Sequence, residues 1–209
     1  MNIQEMSCVD CSVANCNTMD KAYPEFCITP DMDQELFEEA IQAYDEDRNK
    51  DIFIAAAEVE TEHYCNAGRV EEMIYFAEKI GAKKIGIATC VGLLREAGIF
   101  ARIMRSHGFE VVGIGCKAGA YPKEKMGIDK RCEVTGKNIC NPILQAKFLN
   151  QQKTDLNVVI GLCVGHDSLF YKYSDAYVTT LIAKDRVTGH NPAAALYNAS
   201  SYYKNKLFG

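Results

Sequence analysis

Ten cysteines are the residues of this 209-residue chain that are best suited to chemistry. Several stand near the N-terminus, and thiolates are ligands that zinc and iron–sulfur clusters prefer in proteins. The segment around them shows little hydrophobic periodicity, so it is not expected to fold around a core of its own. Its cysteine spacing matches neither the common zinc fingers nor the ferredoxin runs, which leaves the metal open. We therefore predict a metal-binding module in residues 1–30, held by Cys8, Cys11, Cys16 and Cys27.

A second group of cysteines follows short apolar segments that are typical of buried strands. Cys90 and Cys163 each stand just past such a segment and before Val-Gly, and Cys116 ends the apolar run between them. In a parallel sheet of strand order 2-1-3-4, these thiols would lie at one edge, about 5 to 10 Å apart. We therefore expect Cys90, Cys116 and Cys163 to hold a cofactor there, either an iron–sulfur cluster of the 4Fe–4S type or zinc.

Two further residues at this edge are candidates for catalysis. Cys140 precedes Asn141-Pro142, a helix start, which makes it either a fourth ligand or a reactive thiol. His166 follows Cys163-Val-Gly at the next helix start, as a proton donor or a group that supports a ligand. We predict Cys140 and His166 as catalytic residues. A small-molecule or anionic substrate would lie beside Asp167, Asp185, Arg186 and His190.

The elements that must position these residues are predicted in two parts. Thr29-Pro30 favours a helix start, and the apolar spacing that follows indicates amphipathic helices, two of them near residues 51–64 and 69–80. Apolar strands and helices then alternate, with the strands at 85–89, 110–114, 157–162 and 176–182. The prediction is an α/β protein: a four-stranded, mainly parallel, doubly wound (Rossmann-like) sheet with its helical lead-in over residues 31–209.

Composition narrows the class of protein. The net charge of −5 argues against a general nucleic-acid binder, which needs clustered Lys and Arg. No apolar run approaches the roughly 18 residues of a membrane span. The N-terminus lacks the pattern of a secretory signal, so we expect a cytoplasmic protein whose cysteines stay reduced. Metal binding or thiol chemistry then explains the cysteines better than disulfides do.

Two other interpretations fit the same residues. In one, zinc stabilises a non-catalytic binding or regulatory module and the cysteines at the sheet edge are buried and inert. In the other, a metal-free thiol enzyme uses Cys163 or Cys90 as an activated nucleophile beside His166. If the protein is an enzyme, sulfur transfer or redox chemistry on a small molecule suits these side chains best. Cys65 and Cys132 receive no role.

Several motifs occur together: Cys8-x2-Cys11-x4-Cys16, Ile-Gly-Ile-Ala-x-Cys90-x-Gly-Leu, Cys140-Asn-Pro, Gly-Leu-Cys163-Val-Gly-His-Asp, and Lys184-Asp-Arg with Gly-His190-Asn-Pro. In this combination the chain resembles an uncharacterised family of cysteine-rich metal-binding proteins of anaerobic microbes, a domain of unknown function. The resemblance extends over the whole chain. It implies metal binding and no established reaction.

Overall fold

The structure is a computed structural model that describes residues 3–209. The chain divides into two compact units, one ending at Ala57 and the other spanning Glu58–Gly209. The described part of the predicted cysteine-rich segment lies within the first unit. All of the strands belong to the second.

Helices and strands alternate in the second unit as the sequence predicts. Over both units of the described chain, the helices are α1 Asn15–Thr18, α2 Gln34–Gln42, α3 Asn49–His63, α4 Arg69–Lys79, α5 Leu94–Ser106, α6 Pro142–Gln151, α7 His166–Tyr173, α8 Ala193–Tyr197 and α9 Lys204–Leu207. The strands are β1 Lys84–Thr89, β2 Glu110–Gly115, β3 Leu156–Ile160 and β4 Tyr177–Ile182. Short 3-10 turns lie at Ile3–Glu5, Cys8–Asp10, Ala43–Asp45, Val91–Leu93, Glu124–Met126 and Lys130–Thr135. The predicted α/β class is confirmed.

The four strands form one sheet in the order β2-β1-β3-β4, and every neighbouring pair is parallel. This confirms the predicted order and the doubly wound arrangement, with helices on both sides of the sheet. β3 is buried along its whole length and β1 almost so, because parallel strands in the middle of such a sheet are covered on both faces. The carboxyl ends of all four strands therefore lie at the same edge.

Helices α5 and α6 pack against β1 and β2, and α6 also packs against α7. On α5 the buried residues are Ala97, Phe100, Ala101 and Met104, a spacing that places them on one face of a helix. Phe170 of α7 is fully buried and belongs to the same apolar cluster as Ala146 and Leu149 of α6. Burying a side chain of that size contributes roughly 1.5 to 3 kcal/mol, so this cluster fixes the helices against the carboxyl half of the sheet.

Gly86 in β1 gives space to a polar side chain from the neighbouring strand. A Cβ at residue 86 would lie 2.0 Å from Oδ1 of Asn157. Asn157 is fully buried in β3, where its amide accepts a hydrogen bond from Thr154 Oγ1 at 2.8 Å and donates one to Ser174 Oγ at 2.8 Å. The glycine therefore allows a polar network to stay paired inside the sheet.

The ends of two helices differ from their prediction. Thr29-Pro30 lies in a turn, and α2 begins at Gln34 because the side chain of Asp33 accepts the Leu36 N–H at 3.1 Å. The Asn191-Pro192 pair likewise favours a helix start, with a helix running towards Tyr203, but α8 ends at Tyr197 and α9 begins only at Lys204. Asn198 follows α8 and donates its side-chain amide to the Ala194 carbonyl at 2.8 Å, a bond that accompanies the end of the helix. Among residues 3–209, no helix combines the length and apolarity needed to cross a membrane.

Candidate functional site

The three cysteines that follow strands lie at the carboxyl edge of the sheet. Cys116 donates its backbone N–H to the Thr89 carbonyl at 2.8 Å, and Cys90 donates its own to the Ile160 carbonyl at 3.2 Å. These bonds continue the strand pairing as far as the cysteines. Cys163 stands just beyond the end of β3, so each of the three thiols follows one of three adjacent strands. With Cys140 they are called the edge thiols below.

Cys90 and Cys116 are held by the same backbone turn. The Gly92 N–H donates to Cys90 Sγ at 3.4 Å, and the Val91 N–H donates to Cys116 Sγ at 3.5 Å. Both cysteines are buried, with exposed fractions of 8% and 3%. One turn therefore presents backbone N–H donors to both sulfurs.

Cys140 lies against Cys116. Asn141 donates its backbone N–H to the Cys116 carbonyl at 2.8 Å and caps α6 by accepting the Leu144 N–H at 3.0 Å. The thiol of Cys116 hydrogen-bonds to the sulfur of Cys140, which is half-buried. The two sulfurs stand at the two ends of the long connection from β2 to α6.

This contact shifts the pKa values of the two thiols in opposite directions. The pKa of Cys140 is lowered to about 5, first by the hydrogen bond from Cys116 and then by the charges of Lys117 and His166, against the opposing effect of burial. The pKa of Cys116 is raised, first because it hydrogen-bonds to Cys140 and second because it is buried. The contact therefore favours the thiolate form of Cys140 and the protonated form of Cys116.

Arg186 brings a permanent positive charge to the fourth edge thiol. Its Nη2 donates a hydrogen bond to Cys163 Sγ at 3.2 Å. The pKa of Arg186 is raised chiefly by Cys163, through that bond and through charge, with smaller contributions from Cys90 and Cys140. Arg186 is thus electrostatically coupled to three of the four edge thiols.

Asp185 and His190 hold the loop that presents Arg186. Oδ1 of Asp185 accepts the N–H groups of Val187 and Thr188 at 2.8 and 3.0 Å. Nδ1 of His190 accepts the Asp185 N–H at 3.1 Å, and the His190 N–H donates to the Asp185 carbonyl at 2.7 Å. Both residues were predicted beside the substrate, and the polar atoms named here serve the shape of the loop.

His166 begins α7 and donates its backbone N–H to the Cys163 carbonyl at 2.9 Å. Its charge acts on Cys140, so the two residues predicted as catalytic are at the same edge. Asp167 was predicted beside the substrate, but its Oδ1 accepts the N–H of the next residue, Ser168, at 2.9 Å.

Gln145 is a positioning residue that the sequence analysis missed. It is fully buried, and its Nε2 donates to the Thr89 carbonyl at 3.1 Å and to the Ile114 carbonyl at 2.8 Å. These carbonyls lie one residue before Cys90 and two before Cys116, so one amide clamps both strand ends. The signal was a polar residue in the buried stripe of α6, which is Pro142, Gln145, Ala146 and Leu149.

Comparison with known proteins places this site in a family. A family model described as "Protein of unknown function (DUF1847)" matches residues 27–181. The chain belongs to this family. A second match is the "Uncharacterized protein MJ0455" of Methanocaldococcus jannaschii, which is 42% identical over 184 residues, covering 88% of this chain and 94% of the relative. The DUF1847 match spans all four edge thiols, whereas Cys8, Cys11 and Cys16 precede it and Arg186 follows it.

The N-terminal cysteines are free thiols, with Cys8 and Cys16 exposed and Cys11 and Cys27 half-buried. The pKa of Cys11 is lowered because the N–H of Ala14, and then that of Val13, donates to its sulfur. Across residues 3–209, no three Cys, His, Asp or Glu side chains are grouped closely enough to hold a metal ion. This applies to the N-terminal set and to the edge thiols alike. A metal at either place stays a prediction.

The turn before Cys163 depends on Gly161. Its φ is +65°, and a Cβ there would lie 2.0 Å from Cδ1 of the buried Leu93. We expect Gly161→Ala to lower the free energy of unfolding by about 2 to 4 kcal/mol, from left-handed strain and overpacking. Gly165→Ala is the matched control, since its φ is +83° but nothing lies within 4 Å, and it should cost about 1 kcal/mol. Urea unfolding followed by circular dichroism measures both; equal losses would contradict the clash.

Proposed function

We propose that this protein carries out redox chemistry on a small molecule through its edge thiols, with Cys140 as the attacking thiolate and Cys116 as the second thiol. The observation that carries the proposal is the hydrogen bond from Cys116 to the Cys140 sulfur. Two thiols in contact, one ionised and one protonated at neutral pH, are the arrangement that thiol–disulfide exchange requires.

The reaction proceeds in two steps on a small disulfide. The Cys140 thiolate attacks one sulfur of the substrate, a bond forms between the two sulfurs, and the other half of the substrate leaves as a thiolate. Cys116 then loses its proton to solvent and attacks the Cys140 sulfur, which forms a Cys116–Cys140 disulfide and releases the second half as a thiolate. The substrate gains two electrons and the cysteine pair loses two. A cellular dithiol would return the pair to its reduced form.

The acidities of the two thiols set the order of these steps. Cys116 is held in its protonated form chiefly by its hydrogen bond to Cys140, aided by the charge of Cys140 and by burial. Once Cys140 is in a mixed disulfide, its negative charge is gone and that hydrogen bond is weakened, so Cys116 ionises more readily. His166 and Lys117 lie close enough to act on the charge of Cys140, and His166 is the group suited to protonate a leaving thiolate.

A second function is favoured by the meeting of four thiols at one edge. Cys90, Cys116 and Cys163 would hold a 4Fe–4S cluster or zinc, with Cys140 as a fourth ligand or a free thiol beside it. Such a group would supply electron transfer or Lewis-acid chemistry when bound. The edge offers four cysteines, and four thiolates are the usual ligand set of such a cluster.

The pH dependence of alkylation tests the first function. Because only the thiolate reacts, modification of Cys140 by iodoacetamide should be lost as the pH falls through about 5, and should be nearly constant above pH 6. Free cysteine, measured in parallel, should lose reactivity as the pH falls through about 8.5. Mass spectrometry of digests identifies the modified thiol. In Cys140→Ser, the reaction at pH 6 should disappear.

Chain purified without oxygen should also form a Cys116–Cys140 disulfide when a small disulfide is added. An ordinary midpoint near pH 8.5 for Cys140, or the absence of this disulfide, would contradict the proposal. Iron with acid-labile sulfide, together with edge thiols protected from alkylation, would establish the second function instead. Stoichiometric zinc bound by Cys8, Cys11, Cys16 and Cys27, with inert edge thiols, would identify a non-catalytic module.

A further inference from the structure

Three permanent cations surround the edge thiols. Arg186 donates to Cys163 Sγ, and Lys117 hydrogen-bonds to Cys140. Lys184 Nζ lies no more than about 7.8 Å from Cys90 Sγ, because a Cβ placed on Gly92 would be 3.8 Å from that sulfur and 4.0 Å from Lys184 Nζ. These residues come from the connections after β2 and β4, on the two sides of the thiols.

In the described part of the chain, Lys117, Lys184 and Arg186 do not form ion pairs with carboxylates. The acidic residues nearest in sequence have other partners: Asp185 accepts N–H groups of its own loop, and Asp167 accepts the N–H of Ser168. Asp185 and Asp167 keep their negative charges in these bonds, but neither forms an ion pair with any of the three cations.

Arg186 retains donors for a ligand. Only its Nη2 is used on Cys163, and a guanidinium has five N–H groups in a planar fork that matches a carboxylate. The side chain is exposed, whereas its loop is closed by the bonds between Asp185 and His190. Ordering Arg186 in advance lowers the entropy cost of binding an anion next to the thiols.

We propose that the substrate of the edge thiols is a small anionic disulfide, whose carboxylate or similar acidic group is bound by Arg186 together with Lys184 and Lys117. This inference rests on the proposed thiol function and names its substrate class. Attraction by the three cations would concentrate such a molecule at the edge, and the fork of Arg186 would orient its sulfur towards Cys140.

Two alkylating reagents that differ in one charge test this inference. Iodoacetate and iodoacetamide both form a carbon–sulfur bond to the thiolate and release iodide, so the ratio of their rates at one pH does not depend on the thiolate fraction. Relative to the same ratio for free cysteine, we expect iodoacetate to be favoured at Cys140 by roughly three- to tenfold in low salt. The preference should fall as salt is added.

Variants assign the preference to Arg186. Arg186→Gln should bring the ratio most of the way to that of free cysteine, and Arg186→Lys should keep part of it because the charge remains without the fork. Lys153→Gln removes one exposed charge before β3, at the opposite edge of the sheet, and should leave the ratio unchanged. Thermal unfolding of each variant checks that it is folded.

Each outcome decides the inference. A wild-type ratio equal to that of free cysteine, or a ratio that Arg186→Gln does not change, overturns the anionic substrate. The thiol function survives this result if iodoacetamide still modifies Cys140 with a midpoint near pH 5. If Cys140 reacts with neither reagent below pH 7, both the function and the substrate class fall.

Discussion

Replacing Cys116 with alanine is expected to raise the pKa of Cys140 by about 1 to 2 units. The hydrogen bond from Cys116 is the largest cause of the low pKa of Cys140, which stands at about 5. A hydrogen bond to a charged group contributes about 1.5 to 3 kcal/mol, and one pKa unit corresponds to about 1.4 kcal/mol. The midpoint of the iodoacetamide profile should therefore move from about 5 to between about 6 and 7, and the thiolate fraction at pH 5 should fall about five- to fiftyfold.

Cys116→Ser is the matched control, because serine keeps an O–H donor of similar size at the same position. Its midpoint should stay closer to that of the wild type than to that of Cys116→Ala. A midpoint that remains near pH 5 in the alanine variant would mean that Lys117 and His166 alone set the acidity of Cys140. That result would remove Cys116 from its assigned part in the reaction.

Gly86→Ala is expected to cause the largest loss of stability, about 3 to 6 kcal/mol. Its Cβ would lie 2.0 Å from Asn157 Oδ1 and 3.0 Å from side-chain atoms of both Leu149 and Thr154. Asn157 is fully buried and hydrogen-bonded at both ends of its amide, so it has no direction in which to move without losing a partner. Overpacking and an unpaired buried amide each cost about 1 to 3 kcal/mol or more.

Gly113→Ala controls for the change of glycine to alanine in the same sheet. Gly113 pairs with Ile87, and a Cβ there would meet Ile87 at 3.6 Å, an ordinary contact. This variant should change the free energy of unfolding by less than about 1 kcal/mol, because the lower entropy of the unfolded chain favours alanine. Urea unfolding of the two variants makes the comparison, and a Gly86→Ala variant as stable as Gly113→Ala would disprove the close approach.

Much of the fold followed from the sequence because its signals are local. Apolar runs bounded by Gly and polar residues mark buried strands, and parallel strands of this kind need helical crossovers between them. The helix predicted near residues 69–80 is found at Arg69–Lys79, and the one near 51–64 at Asn49–His63. Local signals were less reliable at helix ends, where Asp33 rather than Thr29-Pro30 supplies the cap of α2.

The places of the cysteines at the sheet edge were predicted from the sequence, but the contacts between them were not. Cys90, Cys116 and Cys163 had to lie at one edge, since each follows a strand of one parallel sheet. The hydrogen bond between Cys116 and Cys140 depends instead on the path of the long connection from β2 to α6. Arg186 contacts Cys163 because its loop is held by hydrogen bonds of Asp185 and His190. These bonds have no simple signature in the sequence.

For the cysteines, local sequence and tertiary structure determine different properties. Their number, their positions after apolar segments and the parallel order of the strands were determined by the sequence, because strand ends and side-chain types are local properties. Tertiary structure alone decided which sulfur touches which, and so made Cys140 the thiolate and Cys116 its donor. Acidity depends on neighbours, and at Cys140 those neighbours are Cys116, Lys117 and His166, all of which are more than 20 positions away in the sequence.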